Sequence, residues 1–288
     1  MTTTLSVADA AREVLSARSR GALSVVAVVL DGPAEGARRL RLREPAGVSP
    51  RERSLGGLGD PSLEAAVDSL LSEALAGRPL STRSTEAGTH RVHPSGEDSE
   101  PVSVYLERTR PPPGLLIVGA GHIAEPLHRQ GSLLGFRVTV ADDRPEFAEP
   151  LRFPDAHRVV RIDFSDPFAD IEPAHRTHVV LVTRGHRYDY ECLRRLVRQD
   201  PLPEYIGMIG SRRRVRATFH QLLEEGVPRV ALERIRAPVG LDLGAETPAE
   251  IAVAVAAEWV ALLRGGSGRP LVELERVAER FFPDDPDE

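Results

Sequence analysis

The chain has 288 residues, 41% of them hydrophobic and 28% charged, which allows two domains of roughly 100–200 residues in an ordinary globular protein. A formal net charge of -6 argues against nucleic acid as a partner, and no run of about 18 apolar residues offers a membrane span. One cysteine, Cys192, excludes an internal disulfide and a cysteine-rich zinc site; all 37 basic residues are arginine, which excludes a Schiff-base lysine, a Walker lysine and a lysine general base.

The first residues carry neither a basic n-region nor an apolar h-region, so a secretory signal is not expected and the cytoplasm is the expected compartment. Residues 6–18 read as a helix with Ser6 as N-cap. An apolar run at 23–30 fits a buried strand, with residues 40–43 as its partner. The arginines 38, 39, 41 and 43 read as the exposed face of that partner strand. Gly56-Gly57-Leu58-Gly59 is a loop; Asp60-Pro61 then supplies an N-cap and an N1 proline for a helix over 63–75. Residues 85–100 are polar and read as loop, and 102–106 alternates like a strand. His90 and His93 suggest a metal, but no third ligand accompanies them, so no metal site is expected. The expectation is a small α+β domain over 1–110, then a stiff Pro-rich linker at 111–114.

The second part, 115–266, is clearer. Apolar runs at 115–118, 136–141, 158–162, 178–183 and 205–209 alternate with helical segments, the signature of an α/β fold with a doubly wound, parallel Rossmann-type sheet. Thr247-Pro248-Ala249-Glu250 is a capping box with proline at N1, opening a helix that runs to Gly265-Gly266. The tail, 267–288, holds one short helix pattern at 271–281 and an acidic end.

The first strand of this part runs straight into Gly119-Ala120-Gly121-His122-Ile123-Ala124, a G-x-G-x-x-A dinucleotide fingerprint. Gly119 permits the tight turn, Gly121 leaves space for a pyrophosphate, and Ala124 lets the helix pack close to the sheet. That helix should show Ile123, Leu127 and Leu134 on one face and offer free N–H groups at its start. The second strand ends in Asp142, 21 positions after Gly121, where a ribose-binding acid is expected. Asp142 favours NAD, because a carboxylate repels a 2′-phosphate; Arg144 nearby keeps NADP open. His122, inside the loop, lies within reach of phosphates or substrate.

With strand order 3-2-1-4-5, the ligand crevice lies between the ends of the first and fourth strands. The fourth ends in Thr183-Arg184-Gly185-His186, so Thr183 is a cofactor-binding candidate and His186 the candidate general acid/base, oriented by Asp189. After the fifth strand, Ser211 and one of Arg212 and Arg213 can join a helix N-terminus in an anion site for a second ligand. Asp242, in the loop over 238–245, can line the same crevice. Cys192 reads as a packed helix residue.

In these stretches the second part resembles the C-terminal domain of the XdhC/CoxI family, accessory proteins of molybdenum hydroxylases such as xanthine dehydrogenase and carbon monoxide dehydrogenase. The resemblance rests on Gly119-Ala-Gly-His122, Phe136-Arg-Val-Thr-Val140 with Asp142 and Arg144, and Arg152-Phe-Pro-Asp155. It rests further on Tyr205-Ile-Gly-Met-Ile-Gly-Ser-Arg-Arg213, and on Pro238-Val-Gly-Leu-Asp-Leu-Gly-Ala245 with Thr247-Pro248. It implies a protein that binds the molybdenum cofactor, protects it during sulfuration and helps to insert it into a hydroxylase partner. The anion site at Ser211 would then suit the phosphate of the pterin cofactor, or a substrate carboxylate. The family's N-terminal glycine-rich stretch usually carries a cysteine; its counterpart here, Ser54-Leu-Gly-Gly-Leu-Gly59, has none. The family also often has a histidine where Arg184 stands. The expected function is therefore a maturation factor for a molybdenum hydroxylase, acting as a homodimer; the alternative is a free-standing NAD(P)-dependent oxidoreductase acting on a small anionic substrate.

Overall fold

The computed structural model describes residues 4–44, 51–77, 86–94, 99–171, 173 and 177–275. The chain divides into two units, Met1–Pro112 and Pro113–Glu288.

In the first unit, helix α1 (Val7–Ser19) starts at Ser6, whose hydroxyl accepts the Asp9 N–H at 3.1 Å. Strands β1 (Leu23–Val29) and β2 (Arg38–Arg43) pair antiparallel, Val26 opposite Leu40. A short strand β3 (Glu52–Leu55) precedes helix α2 (Pro61–Leu75), where the Asp60 carboxylate accepts the Ser62 and Leu63 N–H groups. Strands β4 (Ala87–Val92) and β5 (Val102–Thr109) complete an antiparallel sheet of order β3-β2-β1-β5-β4. Helix α2 lays Leu63, Val67, Leu71 and Ala74, at helical spacing, on Val25, Ala27, Val104 and Leu106.

Two expectations from the sequence need correction here. The polar stretch 85–100 contains strand β4, and β3 went unforeseen. Both stand at the sheet's edges, where a strand needs few apolar residues, so neither shows a hydrophobic signal. The arginine row of β2 faces α2 rather than solvent. Arg39 grips both oxygens of Asp68 at 2.6 Å each, Arg41 donates to the Ser72 hydroxyl, and Arg43 to the Leu75 carbonyl. Arg108 of β5, with its side chain buried, donates to the Ala74 carbonyl at 2.6 Å. The last turn of α2 has no basic residue of its own, so the sheet supplies the cations that its C-terminal carbonyls favour.

The second unit opens with β6 (Gly114–Val118), α3 (Ala124–Leu133) and β7 (Arg137–Asp142). A 3₁₀ turn (Pro150–Arg152), β8 (Arg158–Arg161), β9 (Thr177–Leu181), α4 (His186–Leu196), β10 (Tyr205–Met208) and α5 (Arg212–Glu224) follow. The unit ends with α6 (Arg229–Leu232), β11 (Ile235–Arg236), α7 (Pro248–Arg264) and α8 (Leu271–Glu275). All six strands run parallel in the order β11-β10-β9-β6-β7-β8, so strand order reverses between β6 and β9. Both faces are covered. Leu116, Val118, Val179, Leu181 and Met208 pack with Leu193, Leu196 and Leu222 of α4 and α5. Leu115, Ile117, Val138 and Val140 pack with Leu127 of α3 and with Val255 and Trp259 of α7. Burial on both sides is why the strand sequences are continuously apolar.

The doubly wound sheet agrees with the sequence pattern, with two differences. The β7-to-β8 crossover holds a 3₁₀ turn in place of an α-helix, and β11 is a two-residue strand too short to read. Helix α7 has the capping box at Thr247 and Glu250, and ends at Gly265 in the left-handed conformation, φ 72°. On α3, Leu127 is buried as expected, but Leu134 lies half-exposed beyond the helix end. The close approach of α3 to the sheet depends on Gly131 as well as Ala124: a Cβ at 131 would collide with the Leu115 side chain. The predicted tail helix is seen as α8 to Glu275; its remainder lies outside the described residues.

Candidate functional site

The site lies where the sheet's carboxyl ends face the crevice between β6 and β9. At the end of β6, Gly119 takes φ 105°, and a Cβ there would stand 2.6 Å from the Val182 carbonyl oxygen. Only glycine fits, because the turn needs both the left-handed backbone and contact with the chain leaving β9. Its N–H donates to the Ala141 carbonyl at 2.7 Å, and the Ala120 N–H to Asp142 at 2.7 Å. The next N–H groups, of Gly121, His122 and Ile123, have no hydrogen-bond partner among the described residues, and α3 starts without a side-chain cap. A Cβ on Gly121 would meet nothing within 4 Å. Unpaired donors, a helix N-terminus and open space together suit a phosphate. His122 is exposed beside them.

The loop is held from outside by Arg152, which the sequence marks only as part of a longer motif. Its Nη1 donates to the Ala120 and Phe147 carbonyls, at 3.0 and 3.1 Å, and its Nε and Nη2 to Glu125. Phe153, beside it, is buried and meets the buried His128 ring edge-on.

Asp142 ends β7 as expected but is 1% exposed. Its Oδ1 accepts the Arg144 N–H and Nε at 3.0 and 2.9 Å; its Oδ2 accepts the Ala120 N–H and Arg144 Nη2 at 2.7 and 3.0 Å. Burial raises the Asp142 pKa, but these four donors outweigh it and hold the carboxyl at about 2. The Arg144 guanidinium lies over the Phe147 ring, 3.5 Å from its centroid.

Across the crevice, Thr183 and Asp189 are both buried. Asp189 is not the orienter of His186. Its Oδ1 accepts from the Thr183 hydroxyl at 2.7 Å and its Oδ2 from Arg214 Nε at 2.6 Å, with Arg214 Nη2 also close. Arg214 further donates to the Thr183 carbonyl and hydroxyl at 3.0 Å each. Burial pushes the Asp189 carboxyl up to about 6, while Thr183 and Arg214 pull it back, so the pair is ionised at neutral pH. His186 is the exposed first residue of α4 and makes no hydrogen bond to a carboxylate among the described residues. The difference lies in depth: His186 stands at the exposed first position of α4, while Asp189, one turn further along, is buried among its partners Thr183 and Arg214. Arg184 instead grips both oxygens of Asp143, at 2.6 and 2.8 Å, and stacks on Tyr188.

At the end of β10, Ser211 caps α5, its hydroxyl accepting the Arg214 N–H at 3.3 Å. The arginine that turns inward is Arg214; Arg212 and Arg213 are exposed. Arg213 does not line the cleft beside Ser211. Ser211 and Arg212 do line that cleft, of about 620 Å³, together with Gly210, Gly240 and Asp242. It therefore brings together three of the four second-ligand residues read from sequence. Gly240 is bonded through its N–H to Glu258, a buried acid of α7 that no sequence motif marks.

Cys192 is fully buried in the apolar cluster between β9 and α4, and burial pushes its thiol pKa well up. In Ser54–Gly59 the end of β3 runs into a tight structural turn: a Cβ on Gly56 would overlap the Arg38 carbonyl, and the Leu58 N–H donates to Glu64 at 2.7 Å. Among the described residues, no group of three or more His, Cys, Asp or Glu is arranged to hold a metal ion, and no helix is long and apolar enough to cross a membrane.

Among known proteins, residues 115–259, half of this chain, match the family described as the XdhC Rossmann domain. Over 167 residues the chain is 32% identical to the uncharacterized protein YqeB of Escherichia coli (strain K12). Over 158 residues it is 30% identical to a probable xanthine dehydrogenase subunit from Bacillus subtilis (strain 168). The matches take in 58% and 55% of this chain but 30% and 45% of those proteins, so it spans less than half of either relative's length. The fold is shared with a crystal structure of a xanthine dehydrogenase from Bacillus halodurans, at TM-score 0.51 and 22% identity, over 91% of this chain and 96% of that one.

Proposed function

Because the chain belongs to the XdhC family, we propose that it is an accessory factor for a molybdenum hydroxylase of the xanthine dehydrogenase kind. In this reading it holds a nicotinamide dinucleotide on its glycine loop and the molybdenum cofactor in the cleft beside Ser211. The observation that carries the reading is a pair of anion-suited turns at the carboxyl ends of β6 and β10, two strands of one sheet separated only by β9. The name of the Bacillus subtilis relative points to the same client class.

The residues fit the groups in different degrees. The unpaired N–H groups of Gly121 to Ile123 suit a pyrophosphate. In the second cleft, the Ser211 hydroxyl, the Arg212 guanidinium and the start of α5 would hold the cofactor's phosphate, and the Asp242 carboxylate would accept from the N–H edge of a pterin. The molybdenum cofactor supplies the redox chemistry of the client enzyme; this chain's residues bind and shelter it. A free-standing oxidoreductase would need an acid–base pair beside the nicotinamide. That reading is weaker, because the Asp189 oxygens are bonded to Thr183 and Arg214, leaving His186 without the proposed orienting partner.

The test is purification from a host that makes molybdenum cofactor, followed by mass spectrometry of the bound small molecules. Wild type should carry a pterin derivative that Arg212→Ala loses by about tenfold, the size of one charge-assisted contact. Protein free of pterin that turns over a small anionic substrate with NAD(P) would overturn the proposal in favour of the oxidoreductase.

A further inference from the structure

We propose that Arg144 makes the glycine-loop site selective for a 2′-phosphorylated adenine nucleotide, NADP(H) over NAD(H). The inference rests on the reading of that loop as a nucleotide site and goes beyond it by naming which nucleotide.

An ionised carboxylate has about four acceptor positions, two on each oxygen. All four on Asp142 are filled, by the N–H groups of Ala120 and Arg144 and by Arg144 Nε and Nη2. The acid that accepts the ribose hydroxyls in NAD-specific Rossmann sites therefore has no acceptor left for them here, and at 1% exposure it faces no ligand. The expectation from sequence that Asp142 favours NAD assumes a free carboxylate. Arg144, two residues on in the same turn, consumes it.

The same contact prepares an anion site. Arg144 spends one edge of its guanidinium, Nε with Nη2, on Asp142. The Phe147 ring, 3.5 Å from the guanidinium carbon, fixes the plane of the group. Both N–H groups of Nη1 and the second of Nη2 have no hydrogen-bond partner among the described residues, and the side chain is 27% exposed. That outer edge can take two oxygens of a phosphate side by side. The neighbouring guanidiniums are already committed: Arg152 to Glu125 and two carbonyls, Arg184 to Asp143 and Tyr188. Asp142 and Asp143 balance Arg144 and Arg184 in charge, so selectivity arises from directed N–H groups rather than from a net positive field.

Calorimetric titration with 2′,5′-ADP, 5′-AMP, NADPH and NADH tests the proposal. Wild type should bind each 2′-phosphorylated ligand at least about tenfold more tightly than its partner. Arg144→Ala should bring the ratio near one without weakening 5′-AMP or NADH, because the carboxylate of Asp142 is released to the ribose. Arg144→Gln keeps a stem over Phe147 and gives the same readout if the alanine variant does not fold, as judged by circular dichroism. Arg184→Ala should leave the ratio unchanged. A wild-type ratio of one or below, or a ratio that survives loss of Arg144, overturns the assignment while leaving the loop a nucleotide site. Failure of all four ligands to bind overturns the nucleotide reading and the selectivity together.

Discussion

Replacing Arg214 by methionine should make the protein's stability fall with pH in a range where the wild type is flat. Methionine keeps the apolar stem and removes the guanidinium. In the wild type, burial pushes the Asp189 carboxyl up to about 6, above its ordinary value of 3.8. A carboxyl raised on folding binds more protons in the folded state, so wild-type stability declines as pH rises from about 4 to 6 and then levels off. It levels off because the ionised form is held by Thr183 and Arg214. Without the guanidinium only the Thr183 hydroxyl is left to offset burial, Asp189 stays protonated in the folded state to higher pH, and stability continues to fall by about 1.4 kcal/mol per pH unit above 6. Loss of the Arg214 hydrogen bonds to the Thr183 carbonyl and hydroxyl adds about 1–2 kcal/mol at any pH. The variant should thus be weaker than wild type by about 1–2 kcal/mol at pH 5 and by about 4–5 kcal/mol at pH 8, within the range for breaking a buried ion pair. Urea unfolding at both pH values measures this directly. An equal loss at pH 5 and pH 8 would refute the reasoning, since it would mean that Asp189 remains ionised without its partner.

The two loop glycines should behave oppositely. Gly119→Ala forces a side chain into a φ of 105° and against the Val182 carbonyl, so it should melt far below wild type or fail to fold. Gly121→Val adds atoms only to open space, so its melting temperature should stay near wild type while titration with 2′,5′-ADP shows binding lost. Cys192→Ser should lose about 1–2 kcal/mol, from a hydroxyl placed in the apolar cluster, with ligand binding unchanged; the native thiol should not react with a thiol reagent until urea unfolds the chain.

The sequence by itself determined whatever rests on local pattern. The Gly119 turn, the caps at Ser6, Asp60 and Thr247 and the buried runs of β6 and β9 are set by residues within a few positions of one another. Backbone conformation, capping and two-sided burial each leave a mark there. The strand order followed from general rules of parallel α/β sheets once the elements were known, and β6 and β9 do flank the reversal. Edge strands β3 and β4, polar and one-sided, carried no such mark.

Tertiary structure alone decided where each charged side chain spends its hydrogen bonds. Three consecutive arginines at 212–214 are alike as letters; the phase of α5 against the sheet turns Arg214 onto Asp189, 25 residues away, and leaves Arg212 to the cleft. Asp142 read as an available ribose acceptor because its position in a fingerprint says nothing of its partners, and Arg144 folds back to fill it. The arginines of β2 read as solvent-facing until α2 is laid over them. A guanidinium reaches roughly six or seven ångströms from its backbone in any direction that packing leaves open, the length of two residues of extended chain. Its partner is therefore chosen by which element the fold brings within that reach, a choice that no spacing along the chain records.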